Sequence, residues 1–112
     1  MVQYLPQLDL TFGAVADPTR RGILERLGRS DASITELADT FEMTLTGMKK
    51  HVQILENAHL LSTEKVGRVR TCRLGARRLT DEAAWIAKYE AMVNARFDSL
   101  EAFLERTKGD DK

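Results

Sequence analysis

Between Ser33 and Asn57 two amphipathic segments follow one another with almost no chain between them. No other feature of the sequence restricts the fold as much. In the first segment Ser33 can cap a helix, with Glu36 three residues on at the capping-box spacing. Ile34, Leu37, Ala38 and Phe41 make its apolar stripe, which ends near Glu42. In the second, Thr44 precedes a helix in which Leu45, Met48, Val52 and Leu55 share one face. At about 100° per residue, Thr46, Lys50, Gln53 and Asn57 lie opposite, with Lys49 on the flank and His51 near the core boundary. Two helices joined by a turn of about three residues form a helix–turn–helix pattern, and the outer face of the second is short-polar and basic.

The flanking chain is consistent with a mainly α domain carrying a small two-stranded β-hairpin. Leu5, Leu8, Phe12 and Val15 recur at helical spacing, which predicts a first helix over about residues 5–16. Asp17-Pro18 reads as an N-cap followed by proline at the first helical position, and Ile23, Leu24 and Leu27 form the inner face of that second helix. From Leu60 the period changes. Residues 60–66 and 69–74 are rich in Thr, Val, Leu and Arg, with Gly67 at the tip of the hairpin they make. A last helix is expected over about 81–105. About five helices and one hairpin make a single domain of 112 residues, with no repeat and no linker to divide it.

Charge separates along the chain although its total is zero. Residues 45–80 hold eight Lys or Arg against two Glu, a net of +6. Residues 1–44 hold four basic against seven acidic residues, and residues 81–112 hold five against eight, a net of −3 each. A basic zone between acidic flanks is the footprint of a polyanion-binding surface, against the blander reading of a solvated charged face. A helix that reads base edges needs small or flexible early residues, groups that hydrogen-bond to bases, and cations for phosphates. Thr44, Thr46, Gly47, Lys50 and Gln53 supply the first two, and Lys49 the third. His51 joins them with helix packing as its first role. On the hairpin, Lys65, Arg68 and Arg70 can reach the backbone or the minor groove. Double-stranded DNA is the expected partner; the rival reading is a winged-helix module for a protein or RNA.

No Ser-His-Asp or Cys-His constellation, glycine-rich phosphate loop or carboxylate pair points to an enzyme. One cysteine, Cys72, excludes an intramolecular disulfide framework and suits a reducing cytoplasm. It is read as a small buried thiol ahead of a redox or sensing group. With two histidines and one cysteine dispersed along the chain, neither a metal nor another cofactor is expected. No apolar run is long enough to span a bilayer and MVQYLPQLDL lacks the pattern of a secretory signal, so a cytoplasmic protein is expected. Arg20 and Arg21 read as a solvated face or a second phosphate contact, and Arg77 and Arg78 as DNA contacts or solubilising groups.

The stretches ADPTRRGILERL, ITELADTFEMTLTGMKKHVQILENAHLL and VGRVRTCRL resemble the ArsR-type winged helix–turn–helix repressors, over roughly residues 8–104. The resemblance implies a homodimer on a palindromic operator, a recognition helix at Thr44–Asn57 and a wing at about Ser62–Leu74. It leaves room for an unknown effector. The chain departs from the pattern in three places. His59 stands where glycine is common, Lys49 where serine is common, and Ser33 and Thr35 where metal-sensing members carry Cys-X-Cys. The last helix contains no histidine for a second metal site.

That last helix also bears on assembly. Ile86, Val93, Phe97, Leu100 and Leu104 form one apolar stripe, and Trp85, Tyr89, Met92 and Phe103 another. A helix apolar around most of its circumference must be covered from both sides. The expected dimer interface therefore comprises Leu5, Leu8 and Phe12 of the first helix with Trp85, Tyr89, Met92, Val93, Phe97, Leu100 and Leu104 of the last.

Overall fold

The computed structural model describes residues 6–109. Leu5 lies outside them. The chain divides into two compact units, with the boundary between Arg78 and Leu79.

In the first unit the order is α1 (Pro6–Val15), α2 (Pro18–Leu27), β1 (Ala32–Ser33), α3 (Ile34–Thr40), α4 (Leu45–Asn57), β2 (Leu61–Val66) and β3 (Val69–Leu74). Its core gathers Ile23 and Leu27 of α2, Ile34, Leu37 and Ala38 of α3, and Met48, Val52 and Leu55 of α4, with Leu60, Leu61 and Cys72 from the hairpin. The stripes read from the sequence in α2, α3 and α4 are thus the ones that face the core, with Leu24 and Phe41 half-buried against it. Leu45 is the exception: at the start of α4 it stays 44% exposed. In α1 the buried residues are Thr11 and Ala14, while the expected stripe of Leu8 and Phe12 is only half-buried. The stripe is rotated off the core because α1 meets it through small side chains, and the buried Thr11 hydroxyl is satisfied by bonding to the Gln7 carbonyl.

The caps expected at Asp17 and Ser33 are made, and Thr44 caps α4, whereas Thr80, a further candidate cap, is the first residue of the last helix. The Asp17 carboxylate accepts the Arg20 amide at 3.0 Å, and this bond holds its pKa below the usual carboxylate value. Ser33 Oγ accepts the Glu36 amide and donates to the Glu36 carboxylate. Thr44 Oγ1 accepts the Gly47 amide at 3.1 Å. At the other end of α4, Leu60 N donates to Leu55 O at 3.0 Å and His59 N to Glu56 O at 2.9 Å. This is a Schellman closure with His59 at φ 60°. The end of α3 repeats it, with Met43 N on Ala38 O, Glu42 N on Asp39 O, and Glu42 at φ 52°.

The hairpin β2–β3 forms as expected, with Val66 opposite Val69 and only Gly67 and Arg68 between the strands. Gly67 has φ 63° and Arg68 does not share the positive sign, the pattern of a type II′ turn. The sequence reading did not anticipate a third strand. β1 pairs antiparallel with β3, Ala32 opposite Cys72 and Ser33 opposite Thr71, giving the sheet order β1-β3-β2. Two residues are too few to leave a period in a sequence.

The second unit contains α5 (Thr80–Gly109), a helix of 30 residues that begins one residue earlier and ends four later than expected. Acidic Asp81 and Glu82 lie in its first turn and basic Arg106 and Lys108 in its last, each favourable to the helix dipole. Ile86, Phe97, Leu100 and Leu104 are each at least half exposed, and so are Met92 and Phe103 of the other stripe. Trp85 and Tyr89 stack with ring centroids 5.8 Å apart. No helix among the described residues is long and apolar enough to cross a membrane.

Candidate nucleic-acid interface

The site is built on α4. Burial of Met48, Val52 and Leu55 fixes the rotation of the helix about its axis, and Thr46, Lys49, Lys50 and Gln53 then stand exposed. Gly47 is half-buried, where a side chain would press within 3.1 Å of Thr44 Oγ1. Thr44 accepts from the Gly47 amide as the N-cap, so its hydroxyl proton is what it can offer a ligand. Gln53 Nε2 donates to Asn57 Oδ1 at 2.8 Å, which orients the Gln53 amide one turn along the exposed face.

His51 faces α2. Its Nδ1 lies 3.2 Å from Arg20 Nη1. A guanidinium can only donate, so Nδ1 accepts and the ring proton sits on Nε2. Arg20 also donates through Nε to Ala14 O at 2.7 Å and through Nη2 to Gly13 O at 3.2 Å, satisfying terminal carbonyls of α1. Arg21 adds a bond to Val15 O at 2.8 Å. Neither arginine is simply a solvated face, as the sequence reading held foremost. Together they close α1, and Arg20 joins it to α4. The far end of α4 is held as well. Gln7 Nε2 donates to Ala58 O at 3.0 Å, and Arg77 Nη1 donates to Thr11 Oγ1 in the same group. Arg77, read as a DNA contact or a solubilising group, makes this structural bond.

The wing is tied to α4 through Thr63 Oγ1, which donates to Glu56 Oε2 at 2.7 Å. Arg68 sits in the turn, and Lys65 and Arg70 stand opposite each other across the strands. The first turn of α3 with its cap, the start of α4 and the wing tip line an open cleft of about 480 Å³, to which Lys49, Lys65, Arg68 and Arg70 all contribute. Four of the ten residues expected to contact DNA therefore line one space. Sequence reasoning did not find that the exposed Leu45 and Val69, beside the buried Ile34, form its apolar wall. A position on the buried stripe at the first turn of a helix gives no sign of facing a gap.

Cys72 is fully buried, and burial pushes its thiol up to about 11. A neutral thiol there is a packing group, which disfavours a redox role. Among the described residues no three His, Cys, Asp or Glu side chains come together in a group able to hold a metal ion.

Residues 15–64 match a family model described as a helix-turn-helix domain. The transcriptional repressor SdpR of Bacillus subtilis is 30% identical over 78 residues, 70% of this chain and 87% of SdpR. A crystal structure of an ArsR family transcriptional regulator is 42% identical at a TM-score of 0.73, covering 84% of this chain and 97% of that one. The homodimeric winged helix-turn-helix DNA-binding domain Mb0332 from Mycobacterium bovis, 19% identical, shares the fold at a TM-score of 0.60 over 88% of this chain and 95% of its own. Recognition helix, wing and relatives agree: the chain belongs to the ArsR family of winged helix–turn–helix transcriptional regulators, which bind DNA.

Proposed function

We propose that the protein is a repressor that binds a palindromic operator as a homodimer, with α4 in the major groove and the β2–β3 wing against the adjacent backbone. The observation that carries this reading is the exposed row Thr46, Lys49, Lys50 and Gln53, held in place by a helix whose opposite face is buried. In it Lys50 and Gln53 read base edges, Thr44, Thr46 and Gly47 allow close approach, and Lys49, Lys65, Arg68 and Arg70 meet phosphates. His51 offers its Nε2–H to the backbone while Arg20 holds Nδ1. SdpR is named as a repressor, which supports the direction of regulation.

The dimer is supported by α5, whose two apolar stripes are both exposed along the single chain. Leu8 and Phe12 of α1, with Trp85, Tyr89, Met92, Val93, Phe97, Leu100 and Leu104 of α5, are the interface in this proposal. The two units of the chain then act as one DNA-binding domain with its dimerisation helices. The homodimer in the name of the Mycobacterium bovis domain agrees with it. The protein works in the cytoplasm, performs no catalysis and needs no cofactor.

The test is selection of bound duplex from a random pool, followed by fluorescence anisotropy on the selected site. Two-fold symmetric sites with nanomolar-range affinity are expected, on the order of 10⁻⁸ M or tighter for a specific regulator. Lys50→Ala or Gln53→Ala should relax base preference. Asymmetric sites, or equal affinity for single and double strands, would refute the reading.

A further inference from the structure

The cleft beside the recognition helix is more mixed in character than phosphate contacts require. Its volume of about 480 Å³ lies within the roughly 300–1,000 Å³ usual for small-molecule sites. Leu45 and Val69, both exposed, form one wall with the buried Ile34. Lys49, Lys65, Arg68 and Arg70 bring four cations to the same space. Lys65 and Arg70 are direct cross-strand partners, and by alternation they share the sheet face of the buried Leu61 and Cys72. Like charges so placed repel. On the opposite face Arg73 has Glu64 at 3.5 Å and Asp31 at 3.6 Å, whereas no ion pair among the described residues reaches the four cations of the cleft. The only carboxylate in the lining, Glu36, accepts from the hydroxyl of its own helix cap, Ser33. A phosphate would answer the cations and leave the apolar wall unused.

We propose that the cleft is an effector site for a small organic monocarboxylate with an apolar body. The carboxylate sits between Lys65 and Arg70, and the body lies along Leu45, Val69 and Ile34. Arg70 can hold a planar carboxylate through two parallel bonds, while Lys65 adds a compact charge. The lining has no aromatic side chain on which a nucleobase could stack, which disfavours a nucleotide. Glu36 stands exposed in it and repels a dianion more than a monoanion, which disfavours a phosphate ester. In the DNA-binding reading the same cations meet the duplex backbone. Ligand and duplex then exclude each other, so the carboxylate releases the operator. Binding of the carboxylate stands on the cleft alone; its effect on the operator rests on that reading.

The probe is 1-naphthoate, titrated calorimetrically into the free protein. Acetate serves as the anion without a body, and 1-naphthylmethanol as the body without a charge. A dissociation constant on the order of 10⁻⁴ M is expected for a ligand of this size, with both controls at least about tenfold weaker. Leu45→Gln should weaken 1-naphthoate about three- to tenfold, and the K65Q/R70Q double variant about tenfold or more. All three positions are exposed, and Gln matches Leu in helix propensity, so the core and the start of α4 are kept. No binding to the wild type would overturn the proposal. So would wild-type binding by both variants, which would put the probe elsewhere, or equal binding of either control. Anisotropy on a selected duplex then reads the effector role. At ten times its dissociation constant the probe should weaken duplex binding about tenfold in wild type and about two- to fourfold in L45Q, whose own affinity for duplex is unchanged. Full duplex affinity with the probe bound, while Lys50→Ala still weakened binding, would remove the effector role and leave the DNA-binding reading intact. A wild type that bound the probe but no duplex would sink that reading and the effector role with it, leaving a carboxylate site.

Discussion

Replacing His59 with glycine should make the protein more stable. His59 closes the recognition helix with φ 60°, a conformation in which a Cβ crowds the neighbouring carbonyl. Relieving that crowding is worth about 1–2 kcal/mol, and the extra backbone freedom of glycine in the unfolded chain gives back about 0.5–1 kcal/mol. The imidazole is exposed, so little packing is lost. The net gain is about 0.5–1 kcal/mol, or about 2–4 °C in the midpoint for a domain of this size. The two bonds that close the helix, Leu60 N to Leu55 O and His59 N to Glu56 O, use only backbone atoms and survive the change.

A control lies a few ångströms away. Gly75 donates its N–H to Leu60 O at 2.9 Å, and a Cβ on it would stand 2.8 Å from His59 O and 3.0 Å from the Leu60 carbonyl carbon. Backbone atoms at that distance cannot swing aside, so Gly75→Ala should cost about 1–3 kcal/mol. Thermal denaturation at one fixed protein concentration measures both, since dimerisation would make the midpoint depend on concentration. An unchanged or lower midpoint for His59→Gly, beside the expected loss for Gly75→Ala, would refute the strain argument and give the imbalance at His59 to its side chain. Glu42, exposed at φ 52° after α3, should respond in the same direction, additively because the two closures share no hydrogen bond.

Cys72 should resist alkylation by iodoacetamide at pH 8 in the folded protein and react on unfolding. Its folded pKa of about 11 lies above the ordinary 9.0, so its contribution to stability is constant below about pH 9 and is lost as the pH rises towards 11. Phe97→Glu or Leu100→Glu should dissociate the proposed dimer, at a cost of several kcal/mol if the new charge is buried unpaired. Sedimentation equilibrium reads this directly, and a monomeric wild type at micromolar concentration would remove the interface altogether. Zn(II), Cd(II) and arsenite should not release the operator in anisotropy titrations, because Ser33 and Thr35 offer no thiolate, and Ser33 already serves as the cap of α3.

How much of this was legible in the sequence depends on the range over which each feature is encoded. Helix faces and caps are local: Ser33, Thr44 and Asp17 declare themselves within four residues, and Met48, Val52 and Leu55 do so within two turns. The exposed row on α4 follows from the buried row, so the face proposed to read DNA is placed along with the fold. Contacts across long stretches of sequence leave no period. The Arg20–His51 bond spans 31 residues, the Arg77–Thr11 bond 66, and the Gln7–Ala58 bond 51. Arg20 and Arg77 looked like ordinary surface charges for that reason. The same holds for β1, two residues whose strand character comes entirely from β3. The positive φ at His59 was legible only through the resemblance to a family in which glycine is common there.

These long contacts suit a helix of 13 residues to the reading role proposed for it. An isolated helix of that length is marginal in water, and its outer face would be carried on a fluctuating scaffold. Here α4 is held at its N-terminus by the Thr44 cap, in its middle by Arg20 on His51, and at its C-terminus by Gln7 on the Ala58 carbonyl. Both side-chain clamps lead back to α1: Gln7 belongs to it, and Arg20 donates to its last carbonyls. The half-buried Leu8 and Phe12 stand on the same short helix. If α1 is part of the dimer interface, as proposed, the element that joins the subunits is also the one that sets the recognition helix. Pairing two chains would then order the reading surface as well as duplicate it. A symmetric operator requires this, because both half-sites must meet α4 in one orientation before the gain from binding them together is realised.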